Sequence, residues 1–223
     1  MRAVSVITTA TVALTGCFGT GAEEESEGAR NSGFFFVRRD ERACVAEGVQ
    51  GVCERYTVAP ANGGFARCAD GRVSSSCAVG NLDLAGVGLT DAQALTLRAA
   101  ISPSLVSPSV VLRGQIAADG FFASDAWRAP TSHPVLGTVV EVMGAGETLI
   151  QHRVNTSTEP TYVSAVDVSG LGDMTAAARA MALTAASSEE GLIVAGTTGY
   201  DAVGRRVVRA EQVFVRAESF NGL

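Results

Sequence analysis

An α+β fold built from two similar units is predicted by three observations. Residues 81–88 (Asn-Leu-Asp-Leu-Ala-Gly-Val-Gly) line up with residues 165–172 (Ala-Val-Asp-Val-Ser-Gly-Leu-Gly) at an offset of 84. A helix-start signal follows each segment, and apolar strands flank each helix in the same order. The units span residues 34–130 and 131–223, with Thr131-Ser-His-Pro134 as the seam.

The elements follow from local patterns. Phe34 to Val37 and Tyr56 to Val58 are short apolar or β-branched runs, predicted as strands. The alternation around Asp83 is that of a half-buried strand. Thr90-Asp-Ala-Gln93 has the form of a capping box, and Ala94, Leu97 and Ile101 then give one apolar stripe. Strands at 110–114 and 121–128 close the first unit. The second repeats the order: strands at 138–142 and 149–154, then Asp167. A helix follows with Asp173 as predicted N-cap and Ala178, Met181 and Ala185 as its stripe. Strands at 192–196 and 207–216 close it. One helix per about five strands implies mainly antiparallel neighbours, with the helix packed on one sheet face.

The first 33 residues read as an address and a tether. Met1-Arg2 is a positive start, and residues 3–14 are apolar or small without charge. That run is shorter than the ~20 residues of a spanning helix and suits a signal-peptide core. Leu14-Thr-Gly-Cys17 resembles the lipobox of bacterial lipoproteins. The resemblance implies a signal peptide over 1–16, diacylglycerol on the Cys17 thiol and acylation of its freed amine. Acyl chains contribute about 0.8 kcal/mol per buried methylene, so two or three anchor stably. Phe18, rather than Asp, after the lipidated Cys implies the outer membrane by the enteric sorting rule. Residues 17–33 carry Gly, Ser and four Glu (Glu23, Glu24, Glu25 and Glu27), a composition that stays extended and unpacked.

The remaining cysteines, Cys44, Cys53, Cys68 and Cys77, are even in number, and an exported chain favours disulfides. Cys44–Cys53 and Cys68–Cys77 are the favoured pairs among three connectivities, since each encloses eight residues around Gly-containing turns. A four-thiolate zinc site is the competing reading, but its ligands come as closer pairs. No metal or other cofactor is expected.

Phe36-Val-Arg-Arg-Asp40, Arg67-Cys-Ala-Asp-Gly71 and Ser124-Asp-Ala-Trp-Arg-Ala129 lie in a chain with Arg but no Lys. In these segments it resembles a domain-of-unknown-function family of predicted lipoproteins from myxobacteria and related bacteria, over most of residues 34–217. The resemblance implies a cell-envelope location and carries over no catalytic residue.

A net charge of −6 disfavours nucleic acid as a partner, and 47% hydrophobic residues exclude wholesale disorder. The two His, His133 and His152, are expected in structural or surface roles. A Ser–His–Asp triad scattered in sequence stays open, although no Gly-x-Ser-x-Gly occurs. Asp83 and Asp167 read first as turn acceptors and second as a paired acidic site in a shared cleft. Trp127, the only Trp, reads as core or as a ligand-facing aromatic platform. No catalytic residue is assigned. The expected function is a non-catalytic binding or interaction module, held at the membrane by its N-terminal lipid, with an envelope protein or glycan as ligand. An envelope hydrolase is the alternative.

Overall fold

The alternating apolar segments build strands buried on both faces, and that second burial decides the architecture. The structure is a computed structural model that describes residues 29–40, 55–145 and 148–220. In the first half lie β1 (Ala29–Arg30), β2 (Ser32–Arg39), β3 (Tyr56–Pro60), β4 (Phe65–Arg67), β5 (Val73–Ser74), β6 (Cys77–Val79) and β7 (Leu82–Asp83). Helix α1 (Asp91–Ala100), β8 (Val110–Ala117) and β9 (Gly120–Arg128) follow. The second half holds β10 (Thr138–Ala145), β11 (Thr148–Arg153), β12 (Thr161–Val163), β13 (Ala165–Asp167), α2 (Ala176–Ala186), β14 (Leu192–Tyr200) and β15 (Arg206–Arg216).

The expected α+β architecture of two repeats is corrected. The protein is mainly β: one sheet of twelve strands and one of three, with two helices among the described residues. The large sheet runs β12-β11-β10-β14-β15-β9-β8-β2-β3-β6, with β13 and β7 added in parallel to β15 and β9. Pairing of β15 with β9, Val215 opposite Arg128 and Arg216 opposite Trp127, makes the halves one sheet rather than two units.

The physical reason is a shared core. Along β2, Phe35 and Val37 face one cluster with Leu97 and Ile101 of α1, while Phe34 and Phe36 face another. Along β14, Leu192 and Val194 pack with Ala178, Ala182 and Ala186 of α2, while Ile193 and Ala195 turn to that same central cluster. The central cluster also holds Val111, Trp127, Val139 and Phe214. The two halves of the large sheet therefore share the central cluster, and α1 and α2 each pack on the outer face of one half. A half taken alone would expose the central face, which opposes separate units.

Two asparagines join the halves across the edge opposite the β9–β15 pairing. Asn62, after β3, donates to Val139 O (2.7 Å) and Val154 O (2.8 Å) and accepts from Val139 N (2.5 Å). Asn155, after β11, accepts from Phe34 N (2.8 Å) and donates to Phe34 O (2.7 Å) and Ala61 O (3.0 Å). Each side chain acts as a substitute peptide group where the β2–β3 and β10–β11 ladders run out. Both residues are left-handed, φ +71° and +58°, a conformation Asn tolerates better than most residues. Gly33 (φ +132°) leaves room for this, because a Cβ there would collide with Asn155 Oδ1.

Helix α1 starts as expected. Thr90 Oγ1 accepts from Gln93 N, and the Gln93 side chain accepts from Thr90 N, a complete capping box. Helix α2 starts two residues later than expected: Thr175, not Asp173, is its N-cap, and its buried stripe is Ala178, Ala182 and Ala186. Met181 and Ala185 pack at the margin of that cluster. Cys68 and Cys77 form a disulfide, as spacing favoured, while Cys44 and Cys53 lie outside the described residues. Cys17, the signal segment and most of the tether also lie outside them.

Candidate functional site

Four strands of the large sheet each carry one charged residue on the phase that should face the central core. On β8 the order Val111, Leu112, Arg113 puts Arg113 in the phase of the core residue Val111. Asp125 shares the phase of Trp127 on β9, Glu141 that of Val139 on β10, and Arg216 that of Phe214 on β15. His152 of β11 lies opposite Glu141. Charge in core phase survives only where the core opens to water, so these residues mark one end of the central cluster.

The cluster has an internal order. Arg216 Nη1 pairs with Asp125 Oδ1, and its guanidinium lies 4.3 Å from the Trp127 ring centroid. Ser124 Oγ donates to Asp125 Oδ2 at 2.9 Å. Burial works to raise the Asp125 carboxyl, yet the Arg216 guanidinium and the Ser124 hydroxyl outweigh it and hold the carboxyl below its ordinary value. Glu141 goes the other way. Burial raises its carboxyl above the ordinary value, and the opposing charges of Arg113, Arg216 and His152 only partly offset that. Arg113 stacks on the Phe34 ring at 5.6 Å, and its guanidinium has no hydrogen bond or ion pair to a described residue.

Glu141 supplies a stability test with a definite sign. The folded state holds the Glu141 proton to higher pH than the unfolded chain does. Its contribution is therefore complete below the ordinary glutamate range and is lost as pH rises through the raised value. Glu141→Gln does not titrate. It is expected to match the parent in acid and to exceed it at pH 8, by up to about 1 kcal/mol given the partial exposure. Urea melts at both pH values check this; equal differences at the two would refute it.

Beside the cluster a groove of about 510 Å³ opens, with Arg113 in its wall. Ser32, Gln115 and Ser124 give it hydroxyl and amide groups, and Phe122, 39% exposed, gives it a ring. A β-bulge shapes it: Arg113 opposes Asp125 and Gly114 opposes Ala123, so Ser124 is left over between them. Bulges turn side chains out of the ladder and often accompany binding sites. Gly114 and Gly86 line the groove where a Cβ would strike the backbone of Phe122 and Ala123, so only glycine permits this close approach.

The residues singled out from sequence are dispersed. Asp83 accepts from Ala85 N at 2.8 Å, and the 3-10 turn that follows, Ala85–Val87, carries Gly86 to the groove. Asp167 accepts from Ser169 N at 2.9 Å; the Ser169 hydroxyl and amide hold its carboxyl below the ordinary value. Among the described residues nothing bonds Asp83 to Asp167. Trp127 is fully buried and packs in the central core, the first of its two readings. His133 Nε2 lies 2.7 Å from Asp173 Oδ1, and its backbone N–H donates to the buried Gln212. Ser132, next in sequence, donates instead to Ser107 O. Among the described residues no three His, Cys, Asp or Glu side chains are grouped to hold a metal ion.

Arg113, Asp125, Glu141 and Arg216 were missed from sequence. The available signal was a charge on the inward phase of an apolar strand, as in Val-Val-Leu-Arg and Thr-Val-Val-Glu-Val. It becomes visible only once both faces of those strands are known to be buried.

Fold and site together define a mainly β, disulfide-containing protein with a polar groove beside a charged opening of its core. The chain belongs to the family described as Domain of unknown function (DUF6748), which matches residues 33–219. No curated protein and no solved structure matches it.

Proposed function

We propose that this chain is a lipid-anchored protein of a bacterial cell envelope, held at the outer membrane through Cys17, and that its folded part is a non-catalytic binding module. The binding reading is carried by the groove that Arg113 lines, its guanidinium making no hydrogen bond or ion pair to a described residue. Its volume of about 510 Å³ lies within the range of small-molecule sites. The address rests on Leu14-Thr-Gly-Cys17 and the acidic tether that follows it. Likeness to predicted lipoproteins of myxobacteria and their relatives supports the same address.

Cys17→Ser is expected to release the protein from the membrane fraction and to remove the lipid mass from its N-terminal peptide. Retention in the membrane with unchanged attached lipid would overturn the anchor. For the module, a photocrosslinker at Gln115 is expected to form adducts in cells that Arg113→Ala removes, and one at the distant, exposed Tyr162 is expected to form none of them.

An envelope hydrolase is the second reading, and one observation favours it. Asp125 and Glu141 have carboxyls displaced in opposite directions within one cluster, the pattern of an acid and base pair. Asp125, however, is engaged by both Arg216 and Ser124, which leaves binding the better supported reading. Hydrolysis of a cell-wall glycan by the purified protein, abolished in Glu141→Gln, would reverse that order.

A further inference from the structure

We propose that the groove beside Arg113 is a subsite for a carboxylate-bearing sugar of the envelope glycan. The assignment rests on the binding-module reading and names its ligand.

Three features of the groove select this chemistry. Arg113 presents a guanidinium with no hydrogen bond or ion pair to a described residue, and a planar fork of donors matches a carboxylate. The protein carries a net charge of −6, so a general attraction for anions is absent and the selection is local. Arg216, by contrast, is spent on Asp125 and on Glu190 O. Phe122 lines the groove at 39% exposure and gives it a flat apolar surface for the C–H face of a pyranose. Ser32 and Gln115 then supply donors and acceptors for ring hydroxyls or an acetamido group.

The floor of the groove fits the same occupant. Gly86 and Gly114 pack directly on the backbone of Phe122 and Ala123, so neither position raises a side chain into the groove that both line. A small inorganic anion would use Arg113 alone and leave the ring and the amide without a role. A neutral sugar would offer no carboxylate to the Arg113 guanidinium. A sugar that carries a carboxylate engages all of these groups together.

The test titrates N-acetylmuramic acid, N-acetylglucosamine and lactate into the full mature chain, following the amide resonances of Gln115 and Phe122. These probes are, in order, the acidic sugar, its neutral counterpart and the acidic substituent alone. Saturable shifts are expected with N-acetylmuramic acid, with at least tenfold weaker binding of the other two. Arg113→Ala, a change at an exposed position, should weaken the acidic sugar about tenfold and leave resonances elsewhere unmoved. Equal binding of the neutral sugar, lactate binding as strongly as the sugar, or no saturable shift with any probe would each overturn the assignment. If all three probes fail while the crosslinker at Gln115 still forms its Arg113-dependent adduct, the sugar assignment falls and the binding module stands.

Discussion

Trp127→Ala is expected to destabilise the protein by about 3–5 kcal/mol, the usual cost of truncating a fully buried aromatic residue. Trp127 has no exposed surface and packs 5.4 Å from the Phe34 ring, centroid to centroid. Its central cluster joins residues of β2, β8 and β9 to residues of β10, β14 and β15. A cavity there would loosen both halves together, so one cooperative transition at lower denaturant concentration is expected rather than two. Trp127→Phe is the informative companion. Trp127 Nε1 is buried without a hydrogen-bond partner among the described residues, so losing that donor offsets part of the lost area. Its cost is expected to be about 1 kcal/mol. Trp127 is the only Trp, so urea melts of these variants are followed by circular dichroism. A Trp127→Ala cost below 1 kcal/mol would show that the central cluster does not hold the halves together.

Asn155→Ala should cost about 3 kcal/mol. It removes three hydrogen bonds to Phe34 and Ala61 and leaves part-buried backbone groups unpaired. It also puts an ordinary side chain at φ +58°, where Asn is better tolerated. Asn62→Ala should cost a similar amount for its three bonds to Val139 and Val154. Asn62→Asp is expected to be worse than Asn62→Ala, because a carboxylate would replace the amide that donates to two carbonyl oxygens. The two sites brace one edge, so the double alanine variant should be less than additive. Chemical denaturation of the single and double variants measures this, and fully additive costs would show that the two braces act independently.

Much of the secondary structure was legible because its causes are local. The Thr90–Gln93 capping box marks a helix start through bonds that reach three residues. The Cys68–Cys77 bridge closes a turn of nine positions, and the spacing of the cysteines sufficed to favour it. Asp83 and Asp167 accept amides two residues on, which the sequence already favoured over a shared acidic site. The second helix start was misplaced because Asp173 and Thr175 are both good caps. A tertiary contact separates them: Asp173 is held by His133, 40 positions earlier in the chain.

The fold class was misjudged for a different reason. The apolar runs on β2 and β14 show that at least one face is buried. The intervening residues, Phe34 and Phe36 or Ile193 and Ala195, are apolar as well, and sequence does not say what covers them. The candidate site inherits the same ambiguity. Arg113, Asp125, Glu141 and Arg216 are ordinary strand charges until their phase is known to point at a common core.

By itself, then, the sequence pointed to the α1 cap, one disulfide and the two aspartate turns, set by bonds between near neighbours, and to most strands through their apolar runs. The tertiary structure alone decided the single twelve-stranded sheet, the burial of Trp127, the asparagine braces and the charged opening beside the groove. These depend on partners as far apart as Phe34 and Asn155, 121 positions along the chain. Contacts of that range exist only after the strands have chosen their neighbours, and the burial that drives the choice depends on both faces of every strand at once.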